Sequence, residues 1–193
     1  MERLRIQSNA ALFLPSAGTG SHVGPRTCHT SGRVLPIEFR AWVAAQRHMG
    51  FEMDPRELTE HEAHVLRDVT AWWKDNRDWM RGADILRLDP ADPAVIAEEQ
   101  VTRTSDRFVV FAGVSDTSTQ IVPRPLRLTS LNPDWTYRVS LRNGAPKTNL
   151  SRGPIALRDG PIEVSGKWLL AHGLTLPWAF PMTMWVIEGE RIA

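Results

Sequence analysis

The stretch Thr59-Glu60-His61-Glu62, followed by a patterned run to Arg87, divides this chain into two parts. It begins as a capping box, in which the Thr59 hydroxyl and the Glu62 carboxylate satisfy backbone N–H groups that the first helical turn leaves free. Apolar residues then recur in steps of three or four, at Val65, Val69, Trp72, Trp73 and Met80. This spacing predicts a long amphipathic helix that ends at Gly82, with its tryptophans used in packing.

The residues before this helix predict further helices and loops. Residues 2–14 carry a mixed apolar pattern that is compatible with a short helix ended by Pro15. Small and polar residues dominate from Ser16 to Arg33, which predicts a loop. Pro36 favours the start of a second helix, and Gly50 is its predicted end.

The residues after the long helix predict short strands. Turn signals such as Asn132-Pro133-Asp134 and Asn143-Gly144 separate the apolar runs, because Asn and Gly tolerate positive φ and Pro presets a bend. Prolines inside the run 120–128 predict that part of it is an edge strand. The predicted strands are residues 85–88, 95–97, 107–112, 120–128, 135–141, 162–164 and 185–188, with one helical turn at 166–172. Such spacing indicates an α+β chain whose second part is a small antiparallel β-sandwich.

Composition excludes several classes of function. The 23 basic and 22 acidic residues are scattered singly, which argues against nucleic acid or an anionic membrane as the partner. The single cysteine, Cys28, excludes an internal disulfide framework and fits a reducing compartment. Because the N-terminus is charged and no apolar run approaches about 20 residues, we expect no signal peptide or membrane helix, and a cytoplasmic protein.

Two groups of residues invite a metal hypothesis. His61-Glu62-Ala63-His64 lacks the spacing that stacks two histidines one helical turn apart, and the capping box already accounts for Glu62. His22, Cys28 and His29 lack the second ligand pair of a structural zinc site. We therefore expect neither a metal nor a cofactor.

Cys28 and His29 also raise the question of a thiol nucleophile. Adjacent residues usually point apart and no third group is identifiable, so a loop cysteine without a catalytic role is the favoured interpretation. The run Gly18-Thr19-Gly20 has the spacing of neither glycine-rich phosphate motif and is better explained as a bend.

Three aspartates and three tryptophans complete the candidates. Asp84, Asp89 and Asp92 could form an acid/base pair only if two of them faced one pocket, and turn chemistry explains Asp89 and Asp92 better. Tryptophans of the second part could stack on sugar rings, although aromatic residues of a small β domain more often lie in the core. They are Trp168, Trp178 and Trp185. These patterns predict no catalytic constellation.

A family resemblance runs along the whole chain. The run Gly20-Ser21-His22-Val23-Gly24-Pro25, followed by residues 28–33, resembles the last barrel segment of the family-36 glycoside hydrolases, the bacterial α-galactosidases or melibiases. Residues 50–58 resemble the Gly-aromatic-Glu-x-Asp stretch of that family. Residues 2–7, 72–74, 171–174 and 185–188 resemble further segments of it. Residues 18–20 depart from the more apolar approach that the family has before its last strand.

The resemblance implies a fold and a division of the chain. Family 36 builds a (β/α)8 barrel between two β domains. Residues 1–82 would then be the last helices and strand of the barrel, and residues 83–193 the C-terminal β-sandwich. A partial barrel leaves strand edges and apolar surface uncovered, so we expect the N-terminal third to be unstable in isolation.

The resemblance also implies an activity whose catalytic residues are not found in this chain. The family removes terminal α-galactosyl residues from oligosaccharides with retention, using two carboxylates about 5 Å apart. The nucleophile of the family lies in a Lys-Trp-Asp strand motif. Trp73-Lys74-Asp75 resembles that motif only superficially, because it lies inside the long helix. The acid/base aspartate of the family precedes the segment that resembles residues 2–7. No catalytic residue carries over, so the chain alone is expected to be inactive. The alternative is a stand-alone carbohydrate-binding or subunit-assembly module, and members of the family are often oligomers.

Overall fold

A computed structural model describes residues 2–143, 156–157 and 159–193. Gly144, the second half of one predicted turn, lies outside these ranges. The first part of the chain contains helices α1 (Glu2–Ala10), α2 (Ile37–Ala45) and α3 (Glu60–Met80), with strands β1 (Gly20–Val23) and β2 (His48–Phe51). None of the described helices is both long and apolar enough to span a bilayer.

Helix α3 confirms the capping box. The Thr59 hydroxyl accepts a hydrogen bond from the Glu62 N–H at 3.2 Å, and the Glu62 carboxylate accepts one from the Thr59 N–H at 3.0 Å. The predicted stripe is buried at Val69, Trp72, Trp73 and Met80. Local capping and periodicity therefore suffice to locate this helix.

The segment before α3 differs from its prediction. The predicted loop over residues 16–33 is wrong in part, because β1 lies inside it and pairs in parallel with β2. The second helix ends at Ala45, and its predicted end, Gly50, lies within β2. Neither strand is rich in β-branched residues, so the local sequence gives little strand signal. Parallel pairing and the burial of Ser21, Val23 and Met49 stabilise the strands instead.

The second part of the chain forms one six-stranded antiparallel sheet in the described ranges, in the order β3-β4-β5-β8-β6-β7. Its strands are β3 (Asp84–Leu88), β4 (Val95–Val101), β5 (Arg107–Val114), β6 (Thr136–Leu141), β7 (Ile162–Ser165) and β8 (Thr183–Arg191), and α4 (Gly166–Ala171) follows β7. The strand predicted at 120–128 is wrong. Leu126 makes only an isolated bridge to Leu174, and prolines at 123 and 125 remove ladder donors.

Both faces of this sheet are buried, which explains the continuous apolar run of β5. Val109 and Phe111 face a core that also contains residues of α2 and α3. Phe108, Val110 and Ala112 face a second core, which is closed by residues 126–131, α4 and residues 174–179. The second face is thus covered by loops and a short helix rather than by a second sheet, and the sandwich is not confirmed.

The first core joins the two parts of the chain. The rings of Trp72 and Phe111 lie 6.0 Å apart and edge to face, and the Trp72 indole N–H donates to the Glu188 carboxylate at 2.8 Å. Met184 and Val186 of β8 belong to the same core. The division at residue 82/83 stays a prediction, and the structure shows how closely the two parts pack.

Candidate functional site

The candidate functional site lies at the carboxyl ends of β1 and β2. Parallel strands joined by crossover helices present their functional loops at that edge of the sheet. Beyond β1, residues 24–36 form a loop that connects to α2. Two backbone hydrogen bonds close it on itself, from the Cys28 N–H to the Arg33 carbonyl at 2.9 Å and from the Leu35 N–H to the Arg26 carbonyl at 3.0 Å. The loop therefore presents a defined surface.

Glu62 anchors this loop to α3. Its carboxylate accepts hydrogen bonds from Arg26 Nη2 at 2.5 Å and from Arg40 Nη2 at 3.0 Å. Arg40 also donates to the Gly24 carbonyl at 2.6 Å, which ties the start of the loop to α2. The hydrogen bonds from Arg26 and from the Thr59 N–H lower the pKa of Glu62 to about 2. A carboxylate that is always ionised and fully engaged holds the loop in place and has no proton to exchange near neutral pH.

His22 lies on the face of the small sheet that points away from α2. A Cβ atom on Gly50 would lie 2.4 Å from His22 Cδ2, so only glycine allows the imidazole to lie across β2. The His22 carbonyl accepts a hydrogen bond from Arg3 at 2.7 Å. The small sheet therefore exposes the His22 side chain on this face.

Cys28 and His29 do not form a nucleophile and base in the described structure. Hydrogen bonds from the side chain and backbone of Ser31 lower the pKa of the Cys28 thiol to about 7. His29 is exposed, and no hydrogen bond or ring contact joins it to Cys28. The interpretation as a loop cysteine fits this geometry.

The metal candidates are not brought together. Among the described residues, no three His, Cys, Asp or Glu side chains are placed to hold a metal ion. His61 instead contacts the Glu38 carboxylate at 2.7 Å across the gap between α3 and α2.

The aspartates confirm the turn interpretation. Asp89 accepts a hydrogen bond from the Ala91 N–H at 3.2 Å, and Asp92 accepts one from the Ala94 N–H at 3.0 Å. Both are Asx-type turns that shape the connection between β3 and β4. Asp84 is exposed at the start of β3.

The tryptophans divide between core and surface. Trp185 is buried, as predicted, whereas Trp168 is 40% exposed beside His172, so its predicted core position is wrong. The reason is its place on α4, a helix of six residues that directs Leu169 into the core and leaves Trp168 outside. Trp178 is half-buried and packs against Phe180 with ring centroids 4.7 Å apart.

The sequence patterns did not reveal a buried ion pair between Arg47 and Glu98. Arg47 follows α2, and its guanidinium donates to both carboxylate oxygens of Glu98 on β4, at 2.5 and 2.7 Å. Both side chains are almost fully buried. The available signal was the run Glu98-Glu99-Gln100 inside an apolar strand, since polar residues on a doubly covered strand need buried partners.

Comparison with known proteins shows what the chain is similar to. The model of the Melibiase family matches residues 1–82. An α-galactosidase from Escherichia coli is 26% identical over 197 residues, covering 99% of this chain and 28% of the enzyme. The chain is related to the family-36 α-galactosidases.

Further similar proteins agree with this relationship. A probable α-galactosidase G from Emericella nidulans is 38% identical over 145 residues, which are 72% of this chain and 19% of that protein. The crystal structure of the family-36 α-galactosidase AgaA from Geobacillus stearothermophilus in complex with raffinose has a TM-score of 0.82 at 23% identity, covering 98% of this chain and 24% of AgaA. The chain therefore spans about a quarter of the length of the relatives it matches.

Proposed function

We propose that this chain is the C-terminal part of a retaining α-galactosidase, an enzyme that removes terminal α-galactosyl residues from oligosaccharides. The observation that carries the proposal is the similarity to the E. coli α-galactosidase, which extends over 99% of this chain. Raffinose, bound in the AgaA structure, indicates the class of substrate for the complete enzyme.

We further propose that the chain contributes architecture rather than acid/base chemistry. A retaining glycosidase needs two carboxyl groups about 5 Å apart, one of which changes its protonation state. Glu62, which anchors the loop after β1, is held ionised by Arg26 and Arg40. Asp54, which follows β2, forms an ion pair with Arg56. Asp89 and Asp92 are engaged in turns. The catalytic aspartates would then belong to a part of the enzyme that is not included in these 193 residues.

A raffinose hydrolysis assay on the purified chain tests this assignment. We expect no galactose release by the chain alone, with the E. coli α-galactosidase as the active control. Galactose release that follows the purified chain would contradict the proposed absence of catalytic carboxylates.

The DNA upstream of the Met1 codon tests the proposed enzyme. An open frame that continues into a barrel sequence with a Lys-Trp-Asp motif would support a complete α-galactosidase. A stop codon directly upstream would favour the alternative, a stand-alone carbohydrate-binding or subunit-assembly module.

The exposed ring of Trp168 is the observation that favours carbohydrate binding in that alternative. Titration of the intrinsic tryptophan fluorescence with galactose tests it. A saturable change that is lost in Trp168→Ala would support sugar binding, and an unchanged signal would count against it.

A further inference from the structure

A small cleft lies at the amino ends of β1 and β2, at the opposite end of the small sheet from the candidate functional site. Three segments form its walls: residues 16–17 before β1, residues 46–48 around the start of β2, and the last turns of α3 with Arg81. Its enclosed part has about the size of one water molecule. The cleft is therefore suited to a single oxygen-sized group and excludes an oligosaccharide chain.

The described residues that line this cleft include four basic side chains and no acidic one. The basic residues are Arg47, His48, Arg77 and Arg81. Arg47 is neutralised by Glu98, which leaves the exposed side chains of His48, Arg77 and Arg81 as a basic rim. Arg77 and Arg81 are four positions apart at the end of α3, a spacing at which like charges repel. The negative end of the helix dipole offsets part of this repulsion, and an anion in the cleft would offset the rest.

The aromatic ring of Trp73 holds two side chains of the basic rim in place. The guanidinium carbon of Arg77 lies 5.3 Å from the ring centroid, and the His48 ring packs edge to face with it at 5.6 Å. Trp73 is itself fixed, because its indole N–H donates to the Arg47 carbonyl at 2.9 Å. Arg77 also lies 3.8 Å from Asp78, but the Asp78 side chain is 88% exposed, and such a pair contributes little. The rim is therefore preorganised and remains available to an anion.

Ser16 supplies an independent indication of a ligand. This residue lines the cleft and is only 6% exposed. Its carbonyl accepts hydrogen bonds from the N–H and the hydroxyl of Thr19, whereas its own hydroxyl has no hydrogen-bond partner among the described residues. Buried hydroxyl groups are normally hydrogen-bonded to protein or to a small molecule. An oxygen atom held in the enclosed part of the cleft would supply the missing partner.

We propose that this cleft binds a phosphate group, either as inorganic phosphate or as the end of a phosphate monoester. One phosphate oxygen occupies the enclosed part beside Ser16, and the others face the basic rim. Arginine suits this ligand, because its planar guanidinium donates two parallel hydrogen bonds to phosphate oxygens. A carboxylate has only two oxygens, too few to reach the Ser16 hydroxyl and all three rim side chains. The proposal is independent of the proposed function, which concerns neutral sugars.

Isothermal titration calorimetry of the 193-residue chain with inorganic phosphate tests the site. Chloride is replaced by phosphate at constant ionic strength, so that the general screening of charges does not change. We expect saturable binding of one phosphate per chain, and heat that never saturates would overturn the proposal. A parallel titration with methyl phosphate distinguishes the two sources. Equal affinity supports a phosphate monoester as the ligand, and weaker binding of methyl phosphate supports the free ion.

Two matched arginine variants locate the phosphate. Arg81→Gln removes one charged donor of the basic rim and is expected to weaken phosphate binding about tenfold, as the loss of a charged hydrogen bond does. Arg87→Gln changes an exposed arginine on β3, outside the cleft, and is expected to bind phosphate like the parent. Equal affinities of the two variants would show that the phosphate is attracted by the overall charge of the chain, which would overturn the proposal.

Ser16→Ala separates phosphate binding from folding. Because the hydroxyl has no partner in the described structure, its removal should leave the melting temperature without phosphate unchanged and weaken phosphate binding roughly threefold or more. Phosphate should raise the melting temperature of the parent more than that of Ser16→Ala, since a ligand of the folded state stabilises it. The comparison removes the general stabilising effect of phosphate on folded proteins. An unchanged affinity of Ser16→Ala would place the phosphate outside the cleft and overturn the proposal.

Discussion

Glu99 shows at the scale of one residue how a buried charge depends on its surroundings. Its side chain is fully buried on β4, and one carboxylate oxygen accepts hydrogen bonds from the N–H and hydroxyl of Thr129 at 3.0 and 3.3 Å. The other oxygen has no partner in the described structure. Burial raises the pKa of Glu99, because removal from water penalises the charged form more than these bonds favour it.

The raised pKa predicts a pH-dependent effect of Glu99→Gln. The folded state binds a proton more tightly than the unfolded state, so stability is lost as pH rises through the folded-state pKa. Glu99→Gln should therefore raise the melting temperature at pH 7 by a few degrees, and the gain should vanish near pH 4. Thermal unfolding of both proteins at several pH values measures this. Glu163→Gln, on the exposed side of β7, is the control and should show no such trend. An equal gain in the melting temperature of Glu99→Gln at all pH values would contradict the raised pKa of Glu99.

The pair of Arg47 and Glu98 acts at the scale of elements, because it joins the end of α2 to β4. Removing one partner leaves a buried charge without compensation, so Arg47→Met should lower the free energy of unfolding by about 3–5 kcal/mol. Urea unfolding followed by tryptophan fluorescence measures the loss. The double variant Arg47→Met/Glu98→Leu should recover most of it, and the exposed Arg87→Met should have little effect. A double variant no more stable than the single one would show that the pair contributes more than charge compensation.

At the scale of the whole molecule, the two parts of the chain share one core. Phe111 and Val186 lie on the face of the large sheet that α2 and α3 cover. Residues 83–193 produced alone would expose that face, so we expect them to lose the single cooperative unfolding transition of the full chain. Denaturant unfolding of both proteins, monitored through their intrinsic tryptophan fluorescence, tests this. A cooperative transition of the isolated segment would instead support an independent domain beginning at residue 83.

Features of this structure that depend on neighbouring residues could be predicted from the sequence, whereas contacts between distant residues could not. Sequence alone determined helix α3, since its capping box and its apolar stripe act within a few residues. It also indicated the relationship to the family-36 α-galactosidases, because segments from residue 2 to residue 188 carry the resemblance. The turn roles of Asp89 and Asp92 were likewise predicted from the sequence.

Tertiary structure alone decided the strand at His48–Phe51 and its parallel pairing with Gly20–Val23. Residues of both strands have little intrinsic strand preference, and the strands are stabilised by each other and by α2. It also decided that Trp168 is exposed. The ion pair between Glu98 and Arg47, which lie 51 positions apart in the sequence, was likewise set by the tertiary structure. Contacts between residues that are distant in the sequence produce no local pattern of residue types, so they are seen only in the folded chain.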